Sequence, residues 1–195
     1  MTERRGRLER ATAETTVQVD LLVDGSGHAD ARTGIGFLDH LLNAFARHAR
    51  FDLALHCVGD LHIDDHHTAE DSALALGQAL DRALGDRRGI ARFGWALAPL
   101  DEALARVAVD LSGRSIADVH LGLMRPAIGT LSTENVSHVL RSFATAARIT
   151  LHVDVLKGEN DHHRAEAAFK ATALALRQAV AASGFDDVPS TKEAL

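Results

Sequence analysis

The spacing of apolar and polar residues predicts both strands and amphipathic helices along this chain. From Glu14 to Val23 the two kinds alternate with a period of two, which predicts a strand with one buried face. The turn residues Asp24 to Gly27 follow, so we expect a hairpin at this point. From Phe37 to Ala49 apolar residues recur at spacings of three and four, which predicts a helix. The same patterns predict a strand from 52 to 58, a helix from 68 to 84 that ends at the C-cap Gly85, and another strand from 103 to 111.

The second part of the chain repeats the first. Residues 138–148, HVLRSFATAAR, follow the pattern of residues 40–50, HLLNAFARHAR, and residues 161–166, DHHRAE, follow residues 65–70, DHHTAE. Such self-similarity indicates a duplicated structural unit. We therefore predict an α+β fold in which each half is a small sheet covered by two helices. The halves, approximately 1–92 and 93–195, should pack into one domain with pseudo-two-fold symmetry.

Composition narrows the classes of function. The chain has 195 residues, 46% of them hydrophobic, and no apolar run approaches the roughly 20 residues that cross a bilayer. A net charge of −6 argues against a nucleic-acid surface. The charged start of the sequence does not resemble a secretory signal, so we expect a cytoplasmic protein. The single cysteine, Cys57, lies in an alternating apolar run, where we expect a buried small side chain. The unusual feature is the number of histidines, which is 12.

The histidines fall into a repeated pattern that favours metal binding. In each His-His-x-x-Glu motif, the first histidine and the glutamate are four residues apart on one helix face, so they can share a metal ion. The second histidine lies about 100° further round the helix and should serve a different ion. A single histidine at a helix start is more often a capping or hydrogen-bonding residue, but that role does not explain the same set twice. One further histidine precedes each motif at a matching place in the repeat. The predicted metal ligands are therefore His40, His66, His67, Glu70, His138, His162, His163 and Glu166.

Eight such ligands divide into two sites of three histidines and one glutamate. Imidazole and carboxylate without thiolate suit Mn²⁺ or Fe²⁺ with open positions, and Zn²⁺ would also bind. A second feature is positive charge near these sites in an acidic protein. Some of the cations lie where donors could converge on phosphate, but each cation alone is interpreted as a solvated charge, and only the resemblance described below favours an anion site. These residues are Arg92, Arg114, Lys170 and Lys192, with Ser190 beside the last.

A set of short motifs, spread in order over nearly the whole chain, closely resembles the imidazoleglycerol-phosphate dehydratase family. They are Thr12-Ala13-Glu14-Thr15, Gly36-Phe37-Leu38-Asp39-His40, 65–71 DHHTAED, 110–114 DLSGR, 160–163 NDHH through Lys170, and Pro189-Ser190-Thr191-Lys192. The resemblance implies a hydro-lyase of histidine biosynthesis that converts imidazoleglycerol phosphate to imidazoleacetol phosphate. It also implies a duplicated ribosomal S5 domain 2-like fold and a homo-oligomer, a 24-subunit shell built from trimers, with active sites at subunit contacts.

The resemblance further implies roles for individual residues. The eight ligands would bind two Mn²⁺ ions per active site, and Glu14 and Glu166 would lie beside the reacting carbons as the candidates for proton transfer. Ser115 and Glu193 depart from the family's usual residues, and Glu193 should weaken an anion site at the tail unless it points to solvent. The residues implied to contact the substrate or its phosphate are Glu14, His40, His48, His66, Glu70, Arg92, Arg114, His162, Lys170, Ser190 and Lys192.

The chemistry of the implied reaction is a separate reason to expect two metal sites and a nearby carboxylate. The proton that must leave has no carbonyl beside it, so ordinary base catalysis fails. Metal ions on both nitrogens of the imidazole ring would favour an imidazolate, whose electrons can expel the hydroxyl group before a carboxylate removes the neighbouring proton. Two alternatives stay open at this point. A dinuclear site could instead hydrolyse a phosphate ester, or the paired clusters could be structural metal sites that join subunits.

Overall fold

Two copies of one arrangement of strands and helices make up the structure, a computed structural model that describes residues 3–192 and 195. The first copy contains β1 Arg5–Ala11, β2 Thr15–Leu22, β3 Ala29–Arg32, α1 Gly36–Ala49, β4 Asp52–Gly59 and α2 His66–Leu84. The second contains β5 Phe93–Leu100, β6 Ala103–Asp110, β7 Ile116–His120, the short strands β8 Ala127–Ile128 and β9 Leu131–Ser132, α3 Thr133–Ala146, β10 Thr150–Lys157 and α4 Asp161–Ala179.

Both four-stranded sheets have the same topology. The first has the order β1-β2-β4-β3 and the second the order β5-β6-β10-β7. In each sheet the first three strands are antiparallel and the last pair is parallel. The α+β class and the duplicated half-domain are therefore confirmed. The β8-β9 hairpin has no equivalent strand pair among the described residues of the first half.

The hydrophobic pattern explains the core of each half. In β2 the alternating side chains of Val17, Val19 and Leu21 are buried, and α1 buries the stripe that includes Leu41 and Phe45. This is the pairing of period-two and period-3.6 faces that a sheet covered by helices requires. Cys57 is buried on β4, as its place in the alternating run predicts.

The helices pack across the two halves. Helix α1 contacts α4, and α2 contacts α3. Phe45 and Phe143, which occupy equivalent places in the repeat, meet edge to face with ring centroids 5.6 Å apart. Helices α2 and α3 approach so closely at Gly77 that a Cβ atom there would lie 2.5 Å from the Phe143 carbonyl oxygen. The halves thus share one helical layer between their sheets.

The structure corrects the predicted local elements in three places. The expected hairpin after Asp24 does not form, because β2 pairs with β1 and β4, and β3 lies parallel to β4. The strands β1 and β5 were not predicted. Helix α2 starts at His66 rather than Thr68, so it includes both histidines of its motif. Over the described part of the chain, no helix has the length and apolar character needed to span a bilayer.

Candidate metal centre

The first cluster of ligands joins helix α1 of the first half to helix α4 of the second. His40 Nε2 lies 2.9 Å from Glu166 Oε2, and His162 Nε2 lies 3.2 Å from the same oxygen. One donor atom from each of the three residues lies within 4.8 Å of the other two. Donors that bind one ion at about 2.0–2.2 Å must lie this close together. The three side chains therefore converge as ligands of a single cation would.

The second cluster joins α2 of the first half to α3 of the second. His138 Nε2 lies 3.0 Å from Glu70 Oε1, and the rings of His66 and His138 stack with centroids 4.9 Å apart. Again one donor atom from each of the three lies within 4.8 Å of the others. The two clusters are equivalent in the repeat, because each combines the first helix of one half with the second helix of the other.

The donor set of each cluster suits a divalent transition metal. Two imidazole nitrogens and one carboxylate oxygen are ligands that Mn²⁺, Fe²⁺ and Zn²⁺ accept, and three protein ligands leave coordination positions free. The residues therefore fit the metal that the sequence predicts. Each cluster in this chain holds two histidines and one glutamate, rather than the three histidines and one glutamate predicted.

Charge differs between the two clusters. Lys170 Nζ lies 2.8 Å from Glu166 Oε1 and is one turn further along the same helix. Burial alone would raise the pKa of Glu166, but hydrogen bonds from Lys170 and His40 outweigh it and hold that pKa at about 2. Burial and the nearby Lys170 charge lower the pKa of His48. The carboxylate of the first cluster is thus ionised at all ordinary pH values.

Several polar residues that the sequence did not single out hold the clusters in place. The Asn135 carboxamide oxygen lies 3.1 Å from His66 Nδ1, which leaves Nε2 of that ring for a metal ion. Asn135 is buried and lies one turn before His138 on the same helix. Its i, i+3 spacing from His138 could have identified it in the sequence as a neighbour of the cluster. The aspartates of the repeated motif are anchors: Asp65 accepts hydrogen bonds from Ser132, and Asp161 accepts the backbone N–H groups of 124 and 125.

The second histidine of each motif lies outside the clusters. His67 Nδ1 faces Asp60 at 3.0 Å, and His163 Nδ1 faces Glu102 at 2.7 Å. Their opposite ring nitrogens lie 3.7 Å from Glu14 and from Asp101, on the surface of the chain. The second histidine of each motif was predicted to point away from the first, because it lies about 100° further round the helix. In the structure it lies apart from the cluster that contains the first.

Glu14 lies in a loop that helix α2 holds in place. Thr15, the next residue, donates a hydrogen bond to the buried carboxylate of Asp71 on α2. Thr12 Oγ1 accepts the backbone N–H of Glu14 at 3.2 Å. The Glu14 side chain itself is 52% exposed and lies near the start of α2, with His67 as its neighbour. The structure thus brings Glu14 to the metal-binding end of this helix but leaves its carboxylate available.

The predicted phosphate-binding residues lie in two groups. Arg92 makes two hydrogen bonds to Asp110 and a third to the Pro189 carbonyl oxygen, which ties it to the C-terminal tail. Arg114 also reaches Asp110, at 3.4 Å, and its side chain is largely exposed. In that tail the Ser190 hydroxyl oxygen accepts the Lys192 backbone N–H. Lys170, in contrast, lies at the first cluster. Glu193, the departure with the largest expected effect, falls outside the described residues.

Comparisons with known proteins agree with one another. The sequence model of the family described as imidazoleglycerol-phosphate dehydratase matches residues 33–176. An imidazoleglycerol-phosphate dehydratase of Phytophthora nicotianae is 58% identical over 192 residues, 98% of this chain but only 42% of that longer relative. One from Eremothecium gossypii is 52% identical over 214 residues, with 98% of this chain and 97% of the relative covered. The crystal structure of imidazoleglycerol-phosphate dehydratase from Staphylococcus aureus has a TM-score of 0.83 and 35% identity, over 92% of this chain and 99% of that one.

Proposed function

We infer that this chain, which belongs to the imidazoleglycerol-phosphate dehydratase family, is a hydro-lyase of histidine biosynthesis. Its substrate is imidazoleglycerol phosphate and its product imidazoleacetol phosphate. The observation that supports this most directly is the pair of equivalent His-His-Glu clusters. Two clusters suit a substrate whose imidazole ring has two nitrogens. A cytoplasmic location is part of the proposal, supported by this biosynthetic role.

The clusters are proposed to hold two Mn²⁺ ions per active site. Their ligands are imidazole and carboxylate, and three per chain leave positions for substrate. What bound divalent ions would supply is a preference for the anionic form of an imidazole ring held between them, which lets the hydroxyl group depart. The side chains of the clusters orient that ring relative to the remaining groups of the site.

Proton transfer is assigned to Glu14 rather than Glu166. Both Glu166 oxygens are occupied, one by His40 and His162 of its cluster and the other by Lys170, so Glu166 serves better as a ligand. Glu14 lies outside both clusters, half exposed, in a loop fixed to α2. It can therefore approach a carbon beside the ring while the clusters hold the ring. The cations Arg92, Arg114, Lys170 and Lys192, with Ser190, are proposed to bind the phosphate, and the exposed Arg114 has the most freedom to do so.

The functional unit is proposed to be a homo-oligomer in which chains share ligands, and the family resemblance implies a 24-subunit shell built from trimers. Among the described residues each cluster has two histidines rather than three, while His67 and His163 belong to neither cluster and are partly exposed. A second observation concerns the outer faces of the two sheets. Equivalent positions are charged on β1 but apolar and exposed on β5: Arg5, Arg7 and Glu9 correspond to Phe93, Trp95 and Leu97. Exposed apolar side chains of this kind mark contact surfaces.

The subunit proposal is tested by mass. Trp95→Glu should lower the mass of the assembly measured by light scattering, because a charge would enter an apolar contact. Arg7→Glu, the equivalent position of the first sheet, is the matched control and should leave the mass unchanged. If both variants keep the wild-type mass, the outer face of the second sheet is not a subunit contact.

The activity is tested with the Mn²⁺-loaded protein and imidazoleglycerol phosphate, following imidazoleacetol phosphate and inorganic phosphate in parallel. Product without phosphate release is expected, whereas phosphate release would identify a phosphate-ester hydrolase instead. Glu14→Gln should retain both metal ions and lose turnover, whereas Glu166→Gln should lose the ion of the α1–α4 cluster. An active Glu14→Gln protein would contradict the assigned role.

A further inference from the structure

The two histidines outside the clusters have the same surroundings, supplied by different parts of the chain. Asp60 directly follows β4 and lies 3.0 Å from His67 Nδ1; Glu102 directly precedes β6 and lies 2.7 Å from His163 Nδ1. The repeat does not account for this. The residue after β10 is Gly158, which is equivalent to Asp60 but has no carboxylate. The halves therefore share a carboxylate at Nδ1 of the second histidine, but different parts of the chain supply it.

A carboxylate at Nδ1 determines which nitrogen of a histidine can bind metal. It accepts the Nδ1 proton, so the neutral ring keeps its lone pair on Nε2, and it also fixes the orientation of the ring. In both histidines the acidic group facing Nε2 is 3.7 Å away, and the side chains are 32% and 29% exposed. His163 and Glu102 line an open surface depression of about 630 Å³, which leaves room for another molecule.

The carboxylates are themselves held in place, and the two are held differently. Glu102 Oε1 accepts the backbone N–H groups of Glu159 and Asn160 at 3.1 and 2.9 Å, which directs Oε2 to His163. The two-residue turn that presents Glu102 has its first residue, Asp101, in the left-handed region at φ 48°. Asp60 has a partly buried side chain, and both of its carboxylate oxygens lie within 3.2 Å of His67 Nδ1.

We propose that Asp60 and Glu102 are positioning residues that fix His67 and His163 with Nε2 free, so that each completes a metal cluster of another copy of the chain. This rests on the proposed ligand sharing between chains. The different anchors predict different responses to substitution. Asp60→Asn keeps one oxygen that can accept the Nδ1 proton and should bind metal within about 3-fold of wild type. Asp60→Ala should weaken one of the two metal sites by about 10–100-fold.

Glu102→Gln should behave unlike Asp60→Asn. Its single amide oxygen cannot serve both the backbone N–H groups and His163, and its amide nitrogen is a donor only. We expect weakened metal binding at one site, of the same order as for Asp60→Ala. Glu159→Gln is the matched control, because this neighbouring glutamate is exposed and contributes its backbone N–H to the arrangement. It should bind metal as the wild type does.

The decisive experiment is a double-mutant cycle on metal affinity, measured by calorimetry with Mn²⁺ on the full-length assembled protein. Asp60→Ala should reduce the affinity of one site 10–100-fold in the wild-type background, and less than 2-fold when His67 is already alanine. Equal losses in both backgrounds, or no loss in either, would overturn the positioning role. If His67→Ala alone leaves both affinities unchanged, then ligand sharing fails as well, which separates the two proposals. The absorption spectrum of the Co²⁺-loaded protein gives a second readout: it should change in Asp60→Ala and return with Asp60→Asn.

Discussion

The close approach of α2 and α3 at Gly77 links packing directly to metal binding. A Cβ atom at this position would lie 2.5 Å from the Phe143 carbonyl oxygen and 2.8 Å from the Ala147 backbone nitrogen. Ordinary contact begins at 3.4 Å, so in Gly77→Ala helix α3 must retreat by about 0.9 Å. The same two helices hold the second cluster, in which His138 faces Glu70 at 3.0 Å. A metal site tolerates errors of only about 0.2 Å in its ligand distances.

The magnitudes separate the stability effect from the functional one. Overpacking should cost about 1–3 kcal/mol, but alanine in place of a mid-helix glycine returns up to about 1 kcal/mol. The protein should therefore remain folded, with a net loss of about 0–3 kcal/mol. Turnover should fall on the order of 100-fold, since a displacement near 1 Å has this effect on a positioned site. The α2–α3 cluster should lose metal while the α1–α4 cluster keeps it.

The assay is the metal content of dialysed protein, determined together with turnover and urea denaturation. Gly36→Ala is the control, because a Cβ atom there meets nothing within 4 Å at the first position of α1. It should be as stable as the wild type or more stable. The reasoning is refuted if Gly77→Ala binds both metal ions and turns over at the wild-type rate.

Three further predictions concern charge and backbone strain. Arg87 is a buried guanidinium that donates to two carbonyl oxygens at the end of α3, so Arg87→Leu should lower the free energy of unfolding by about 3–5 kcal/mol. Arg88→Leu, at an exposed side chain, should change it by less than about 0.5 kcal/mol. Equal effects of the two variants in chemical denaturation would contradict this. Because the pKa of Glu166 falls from 4.5 to about 2 on folding, its contribution to stability is present above about pH 4.5 and is lost as the pH falls toward 2. In metal-free protein, Lys170→Met should reduce the loss of unfolding free energy between these pH values. An unchanged dependence of stability on pH would refute the assignment. Asp101 has a left-handed backbone that glycine adopts without strain, so Asp101→Gly should raise the free energy of unfolding by about 0.5–1 kcal/mol. A lower free energy of unfolding would contradict this.

The duplicated fold could be predicted because it is a property of local sequence. The apolar periodicity of α1 and the repeated histidine motifs are visible without any knowledge of tertiary contacts. Strand β5 could not be found in this way, because its pattern is inverted: Phe93, Trp95 and Leu97 are exposed while Gly94, Ala96 and Ala98 are buried. Helix α4 lies so close that a Cβ atom on Gly94 would be 1.9 Å from a helix carbonyl oxygen, and only small residues fit beneath it.

The candidate site shows the same division. Helix geometry predicts that His66 and Glu70 face one way and His67 another, and the structure places them so. The supporting residues depend on contacts between distant segments. Asp60 lies in a loop seven residues before its histidine, and Glu102 reaches His163 from 61 positions away. Neither spacing corresponds to a regular secondary structure, so the periodicity of helices and strands could not reveal these two contacts.

The crossing of the clusters between halves has an evolutionary consequence. A gene for one half alone would encode the histidine of one cluster and the histidine-glutamate pair of the other, so its product could build the clusters seen here only as a symmetric homodimer. Both sites of that ancestor would have been identical. Duplication and fusion of such a gene would allow the two sites to diverge. In this chain they differ: Lys170 stands one turn after Glu166, whereas Leu74 stands one turn after Glu70, so only one of the two sites has an ammonium group at this position.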